Sequence, residues 1–209
     1  MAGENPIADQ FHQMYYNSHV WLNTYWLGIP VQKCPLDLWI YQEIIFESRP
    51  DVIIEAGTMN GGGTLYLATL CELVQKGRVI SIDIAPQPGL PKHHRIGYLT
   101  GSSISGDIYH KVRGMIHPGE QVMVILDSGH HFEHVLTEMR LYSGLVTPGQ
   151  YLVVEDTNIN GHPVLPEFGP GPMEALQHFL AENNQFMVDK SREKFFVTFF
   201  PNGFLKRVM

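Results

Sequence analysis

Four apolar runs constrain this chain more than any other feature: VIIEAG, RVISIDI, VMVILDS and YLVVED, set apart by helix-length segments. Strands that are apolar almost throughout are covered on both faces. Their alternation with helices predicts a three-layer, Rossmann-like α/β fold with a mostly parallel sheet. GGTLYLATLCELVQK, ISGDIYHKVRGMI, FEHVLTEMRLYSGL and PMEALQHFLAEN read as helices, and IGYLTG as a short strand. FFVTFF and GFLKRVM flank Pro201-Asn202-Gly203, a turn signal, so the last two strands are expected to form an antiparallel hairpin at one sheet edge. Residues 1–50 read as a helical N-terminal extension. MYYNSHVWLNTYWLG is taken as one helix stopping at Gly28-Ile29-Pro30, and PLDLWIYQEIIFESR as a second, opened by Pro35 and stopped by Pro50. The 209 residues show no repeat and no linker, which predicts a single domain with residues 51–209 as its core.

Composition excludes some partners. A formal net charge of -7 lacks the basic face that nucleic acid requires. No 18-residue apolar stretch stands out, and no basic region followed by an apolar run opens the chain, so a soluble, cytoplasmic protein with no membrane partner is expected. Cys34 and Cys71 cannot build a disulfide framework and read as buried free thiols.

The strand ends carry the chemistry. Open α/β sheets bind ligands in the crevice beyond the carboxyl ends of their strands. The first run ends in Glu55 and Gly57, and Gly61 and Gly62 open the next helix. Glycine there lets backbone turn tightly and approach a ligand. The spacing is neither G-x-G-x-x-G nor a P-loop. Asp83 closes the second run, where a carboxylate commonly holds ribose hydroxyls. Ser102 and Ser103, after IGYLTG, are placed to line an adenine pocket. The alternative is a turn that only fits helix to strand, with Asp83 as a solvated cap.

Asp127, Glu155 and Asp156 close the remaining two runs. They are hard oxygen donors that favour Mg²⁺, with Mn²⁺ or Ca²⁺ as substitutes. A capping or ion-pair role for individual acids stays open. His130, three residues past Asp127, suits a general base, because an unperturbed imidazole titrates near neutral pH. It could instead cap the following helix or ligate metal. His131 is expected to orient or pack, His134 to pack or support the site, and His93 and His94 to be solvated. His162 lies on the long loop 157–172, as a substrate contact or a structural element. Tyr15, Tyr16, Trp21, Tyr25 and Trp26 read as core or subunit interface more than as a substrate cage.

These residues, within RPDVIIEAGTMNGGGT, GRVISIDI, VILDSGHHFEHVLTEMRLYSGLVTPGQYLVVEDTNINGHPV and FGPGPMEAL, resemble the cephalosporin hydroxylase family, which includes rhamnosyl O-methyltransferases. The resemblance covers nearly the whole chain. It implies a methyltransferase fold, S-adenosylmethionine and Mg²⁺ as cofactors, and a homo-oligomer. Glu55, Gly57 and Asp83 would then lie in the cofactor pocket with Ser102 or Ser103 near the adenine, and Asp127 would border both sites. Asp127, Glu155 and Asp156 match the metal ligands of macrolide-sugar O-methyltransferases, and His130 matches their base. Catechol-type relatives place a lysine where His130 stands, so a catechol acceptor does not follow. The activity implied is O-methylation of a hydroxyl in a vicinal diol of a sugar or natural product. The alternative is a component of an antibiotic hydroxylation or methoxylation system.

Overall fold

A computed structural model describes residues 5–209. Strands β1 (Tyr25–Trp26) and β2 (Ile29–Pro30) form a small hairpin. Seven others make the main sheet: β3 (Val52–Ala56), β4 (Arg78–Asp83), β5 (Ile96–Thr100), β6 (Val122–Leu126), β7 (Tyr151–Val154), β8 (Phe186–Val188) and β9 (Phe204–Arg207), in the order β5-β4-β3-β6-β7-β9-β8. The first five are mutually parallel. Ile54 stands opposite Ile80 on one side and Val124 on the other. Strand β9 runs antiparallel between β7 and β8.

Side chains alternate across a strand, so each run feeds two layers. Val52, Ile54 and Ala56 join one core with Val124, Ile108 and Val112 of α4 (Gly106–Gly114), Leu136 and Met139 of α5 (Phe132–Tyr142), and Phe179 of α6 (Pro172–Glu182). Ile53, Met123 and Val153 face the other core. There they meet Ile44 and Ile45 of α2 (Pro35–Ser48) and Ala68 and Cys71 of α3 (Gly62–Leu73). This is the expected three-layer architecture. Cys34 and Cys71 are buried free thiols. Among the described residues no helix is long and apolar enough to cross a membrane.

Two expectations change. The stretch 14–28 is not one helix. Helix α1 (Pro6–Asn17) ends before Ser18, a 3₁₀ turn covers Val20–Asn23, and the chain then reverses in the β1–β2 hairpin. Leu27 and Gly28 both take positive φ, 49° and 84°, as a two-residue hairpin turn of matching twist requires. The aromatics are fastened one by one: Trp21 Nε1 donates to the Tyr16 carbonyl at 3.0 Å, and Trp26 Nε1 to Thr69 Oγ1 at 3.0 Å.

FFVTFF is not a strand either. Its backbone is drawn off the sheet by Asp37, whose carboxylate accepts from Thr198 Oγ1 at 2.5 Å and from the Phe199 amide at 2.9 Å. The turn at Pro201-Asn202-Gly203 does lead into β9, but the antiparallel partners of β9 are β7 and β8. Gly203 is required there, since a Cβ would stand 2.2 Å from the Val154 carbonyl oxygen.

Candidate active site

The strand order reverses between β3 and β6, and the site lies beyond their carboxyl ends, as expected of an open parallel sheet. Gly57 at the end of β3 takes φ +106°, and a Cβ there would fall 1.8 Å from the Asp127 carbonyl oxygen at the end of β6. The two strand ends therefore touch backbone to backbone. Asp83 fastens the turn beside them. Its Oδ2 accepts from the amides of Thr58 (3.0 Å) and Met59 (2.8 Å), and its Oδ1 from the Ala85 amide (2.8 Å).

A cavity of about 440 Å³ opens at this point, and Gly57, Asp83, Ser102, Ser103, Asp127 and His130 all line it. The structure thus gathers six residues that the sequence had named from four separate strand ends. Glu55, Gly61 and Gly62 lie outside it. Gly61 and Gly62 are tight packing positions, since Cβ atoms there would meet the Pro91 ring at 2.6 Å and the Pro30 carbonyl oxygen at 2.0 Å. Gly62 thereby lets the β1–β2 hairpin sit down on the start of α3.

Glu55 is buried beneath the turn, accepting from Thr64 Oγ1 and from Ser81 Oγ at 2.6 Å, and it borders a smaller cavity with Lys33, Gly62 and Asp127. Burial pushes its carboxyl up to about 7, against the hydroxyl donors that favour the ion. Such a group contributes stability that is present below its unfolded value of 4.5 and is lost as pH rises through about 7. Glu55→Gln lacks that titration. Its stability relative to the parent should therefore rise across this window, by about 3 kcal/mol at most. Urea unfolding across the window checks this, and a difference independent of pH would count against it.

The acid trio divides. Asp156 takes positive φ, 55°, so it and its neighbour Glu155 face different surroundings. Its Oδ2 stands 3.3 Å from His130 Nε2, and ligand atoms of Asp127, His130 and Asp156 all lie within 4.8 Å of one another. Glu155 turns inward. Its Oε1 accepts from the Tyr41 hydroxyl at 2.7 Å and its Oε2 from Lys33 Nζ at 2.6 Å. The same ammonium donates to Asp127 Oδ2 at 2.6 Å. Burial pushes the carboxyl of Glu155 far up and that of Asp156 up, with His130 opposing the shift at Asp156. For Lys33, burial opposes the charge, but the two carboxylates outweigh it and hold the ammonium protonated.

The other histidines named from the sequence have separate partners. His131 precedes α5 without a capping bond and stacks on Phe168. His134 borders the cavity, with Nε2 2.9 Å from Ser128 Oγ and 3.4 Å from Glu138 Oε1. His162 is tied to Glu174 at 2.9 Å, near the start of α6. His94 is exposed and meets Glu72 at 3.0 Å.

The family model described as Rhamnosyl O-methyltransferase/CmcI matches residues 18–208. This chain belongs to the rhamnosyl O-methyltransferase/CmcI family. Rhamnosyl O-methyltransferases of Mycobacterium tuberculosis and Mycobacterium leprae are each 41% identical to it, over 97% of the chain and 86% and 91% of their own lengths. It is an O-methyltransferase. A solved structure of CmcI with Mg and SAM superposes with a TM-score of 0.70 at 22% identity, over 90% of this chain and 78% of that one. MycE, a methyltransferase of mycinamycin biosynthesis solved with Mg, SAH and mycinamycin VI, reaches 0.53 at 20% identity, over 67% and 41%.

Within this family member, sequence reasoning passed over Lys33, Tyr41 and the underside of α1. Lys33 is a single cation in the apolar stretch GIPVQKCPL, and that isolation was the available signal. Tyr41 sits among apolar neighbours at helical spacing and reads as core. From α1, His12 Nε2 lies 3.0 Å from Asn158 Nδ2. Burial, with Asp156 adding to it, pushes the Tyr16 hydroxyl up to about 12.

Proposed function

We propose that this O-methyltransferase moves the methyl group of S-adenosylmethionine to one hydroxyl of a vicinal diol, on a sugar or a sugar-bearing natural product, with Mg²⁺ at the acid cluster. The observation that carries the reading is the convergence of Asp127, His130 and Asp156 at a cavity walled by Gly57, Asp83 and Ser103. The names of the mycobacterial relatives support the sugar, and the ligands of CmcI and MycE support the cofactor and the ion.

The cavity suits the donor. A carboxylate offers about four lone-pair sites. Three backbone amides take three sites on Asp83, which leaves one for a ribose hydroxyl. Carboxylate oxygens of Asp127 and Asp156 are the hard donors that Mg²⁺ takes. When bound, Mg²⁺ lowers the pKa of a nearby hydroxyl and fixes its position. His130, held by Asp156, accepts the hydroxyl proton. The acceptor oxygen then attacks the methyl carbon as the carbon–sulfur bond breaks, leaving S-adenosylhomocysteine. Cavity walls that held donor and acceptor in line would remove much of the entropic barrier.

Hydroxylation by an independent iron centre has less support. Among the described residues, the cluster of two histidines and a carboxylate is Glu72 with His93 and His94. It lies at the end of α3 and before β5, at the far end of the sheet from the cavity. Arg95 Nε also donates to that carboxylate, at 2.6 Å.

Mass spectrometry of products from rhamnosides with S-adenosylmethionine tests the proposal. A vicinal diol should gain one methyl group, while monodeoxy analogues should react at least about a hundredfold more slowly. EDTA should abolish turnover and Mg²⁺ restore it. Equal rates on monodeoxy sugars would remove the diol, and full activity in EDTA would remove the metal.

A further inference from the structure

The connection from β4 to β5 carries His93-His94-Arg95, which the methyl-transfer site leaves unused. Adjacent side chains of an extended chain point to opposite faces. Here the Ile96 amide donates to the His93 carbonyl at 3.0 Å, closing a turn, and the two imidazoles stack with centroids 4.6 Å apart. Glu72, near the end of α3, stands across from them. Its Oε2 is 3.0 Å from His94 Nε2, and ligand atoms of all three side chains lie within 4.8 Å of one another. A tetrahedral ion with bonds of about 2.0 Å sets its ligand atoms about 3.3 Å apart, so little movement would close a shell. The carboxylate is also oriented from behind. Arg95 Nε donates to Oε2 at 2.6 Å, while its Nη1 is held on the Gly77 carbonyl at 2.8 Å. Ligating carboxylates are commonly hydrogen-bonded in this way. The same bond holds the Glu72 carboxyl below the usual carboxylate range, which keeps it anionic. His93 Nδ1 accepts from the Arg95 amide at 3.2 Å, and ligation through Nε2 gives up that one contact.

We propose that Glu72, His93 and His94 form a peripheral site for Zn²⁺, with water completing the shell. Two imidazoles and a carboxylate are a zinc donor set, whereas Mg²⁺ and Ca²⁺ take oxygen ligands. The cluster lies at the far end of the sheet from the cavity, so the ion has no part in methyl transfer. Its effect is on the β4–β5 loop. Pro91 packs on Gly61, the N-cap of α3, where a Cβ would stand 2.6 Å from its ring, and its carbonyl accepts from the Tyr98 hydroxyl at 2.9 Å. The histidines that follow reach Glu72 near the other end of the same helix. A bound ion therefore ties this loop to α3 at both ends of the helix.

Calorimetric titration of Zn²⁺ into the full chain, with Mg²⁺ in excess, reads this without turnover. The parent should bind Zn²⁺ with a Kd of about 10 µM. His93→Ala and His94→Ala should each weaken binding by at least about tenfold, and Glu72→Gln by at least about fivefold. His178→Ala is the control. It removes another exposed imidazole beside a carboxylate, 3.6 Å from Glu182, and should leave the Kd unchanged.

Hydrogen exchange supplies a local readout. Zn²⁺ should slow exchange of the amides of residues 92–96 by at least about threefold in the parent and leave them unchanged in His94→Ala. A parent with no Zn²⁺ binding tighter than about 1 mM would overturn the proposal. So would a loss in His178→Ala as large as that in His94→Ala, since that pattern marks ions scattered over surface histidines.

Discussion

Replacing His130 with alanine should lower kcat by roughly 10²- to 10⁴-fold, the range for loss of a general base. Among the described residues, His130 is the one imidazole that both lines the cavity and joins the Asp127–Asp156 cluster. His131 is stacked on Phe168, His162 is bound to Glu174, and His134 is engaged by Ser128 and Glu138. None of these stands ready to replace it. The Asp156 carboxylate, 3.3 Å from Nε2, orients the ring. On the proposed reading, truncation removes the proton acceptor but leaves Gly57, Asp83 and Ser103, which line the cavity. Loss should therefore appear in kcat far more than in affinity for S-adenosylmethionine. Single-turnover rates beside calorimetric donor binding separate the two. A fall in kcat below about threefold would rule His130 out as the base.

Gly57→Ala should be the most damaging single methyl addition at the site. The new Cβ would lie 1.8 Å from the Asp127 carbonyl oxygen and 2.6 Å from its carbon. Neither strand end can yield cheaply. The Gly57 amide donates to the Ile82 carbonyl at 2.8 Å, and the Asp127 amide to the Ala56 carbonyl at 2.8 Å. The backbone at φ +106° adds its own strain for any residue with a Cβ. Together these should cost more than about 4 kcal/mol, a drop in Tm of at least about 10 °C. Gly114→Ala is the control, because nothing lies within 4 Å of a Cβ there. A Gly57→Ala protein melting within about 2 °C of the parent would refute the close approach of the two strand ends.

The main sheet was legible because β3, β4, β6 and β7 are buried almost throughout, and burial on both faces writes a near-continuous apolar run. The acids at those strand ends were legible for the same reason: Asp83, Asp127 and Glu155 interrupt such runs abruptly. What escaped was set by tertiary contacts. FFVTFF has strand composition, but the amide of Phe199 is taken by Asp37, more than 150 positions earlier in the chain. The aromatic stretch 14–28 has no strict period, so its break into turn and hairpin rests on Leu27 and Gly28 adopting positive φ. Glu155 and Asp156 are adjacent letters, and only the left-handed backbone at Asp156 gives them different partners. Lys33 has no motif. Its importance comes from where the β1–β2 hairpin is seated.

Phe199 contacts the rings of His12, Tyr15, Tyr16 and Trp21, and its carbonyl accepts from the Asn158 amide at 3.2 Å. Asn158 in turn meets His12. The N-terminal helix, the C-terminal aromatic segment and the loop after Asp156 therefore behave as one clasp with a single pin. An acceptor cannot gain room beside the acids by lifting the helix alone. On the proposed reading, widening that side of the site would also shift the segment after Asp156, which would couple access for the acceptor to alignment of the acids.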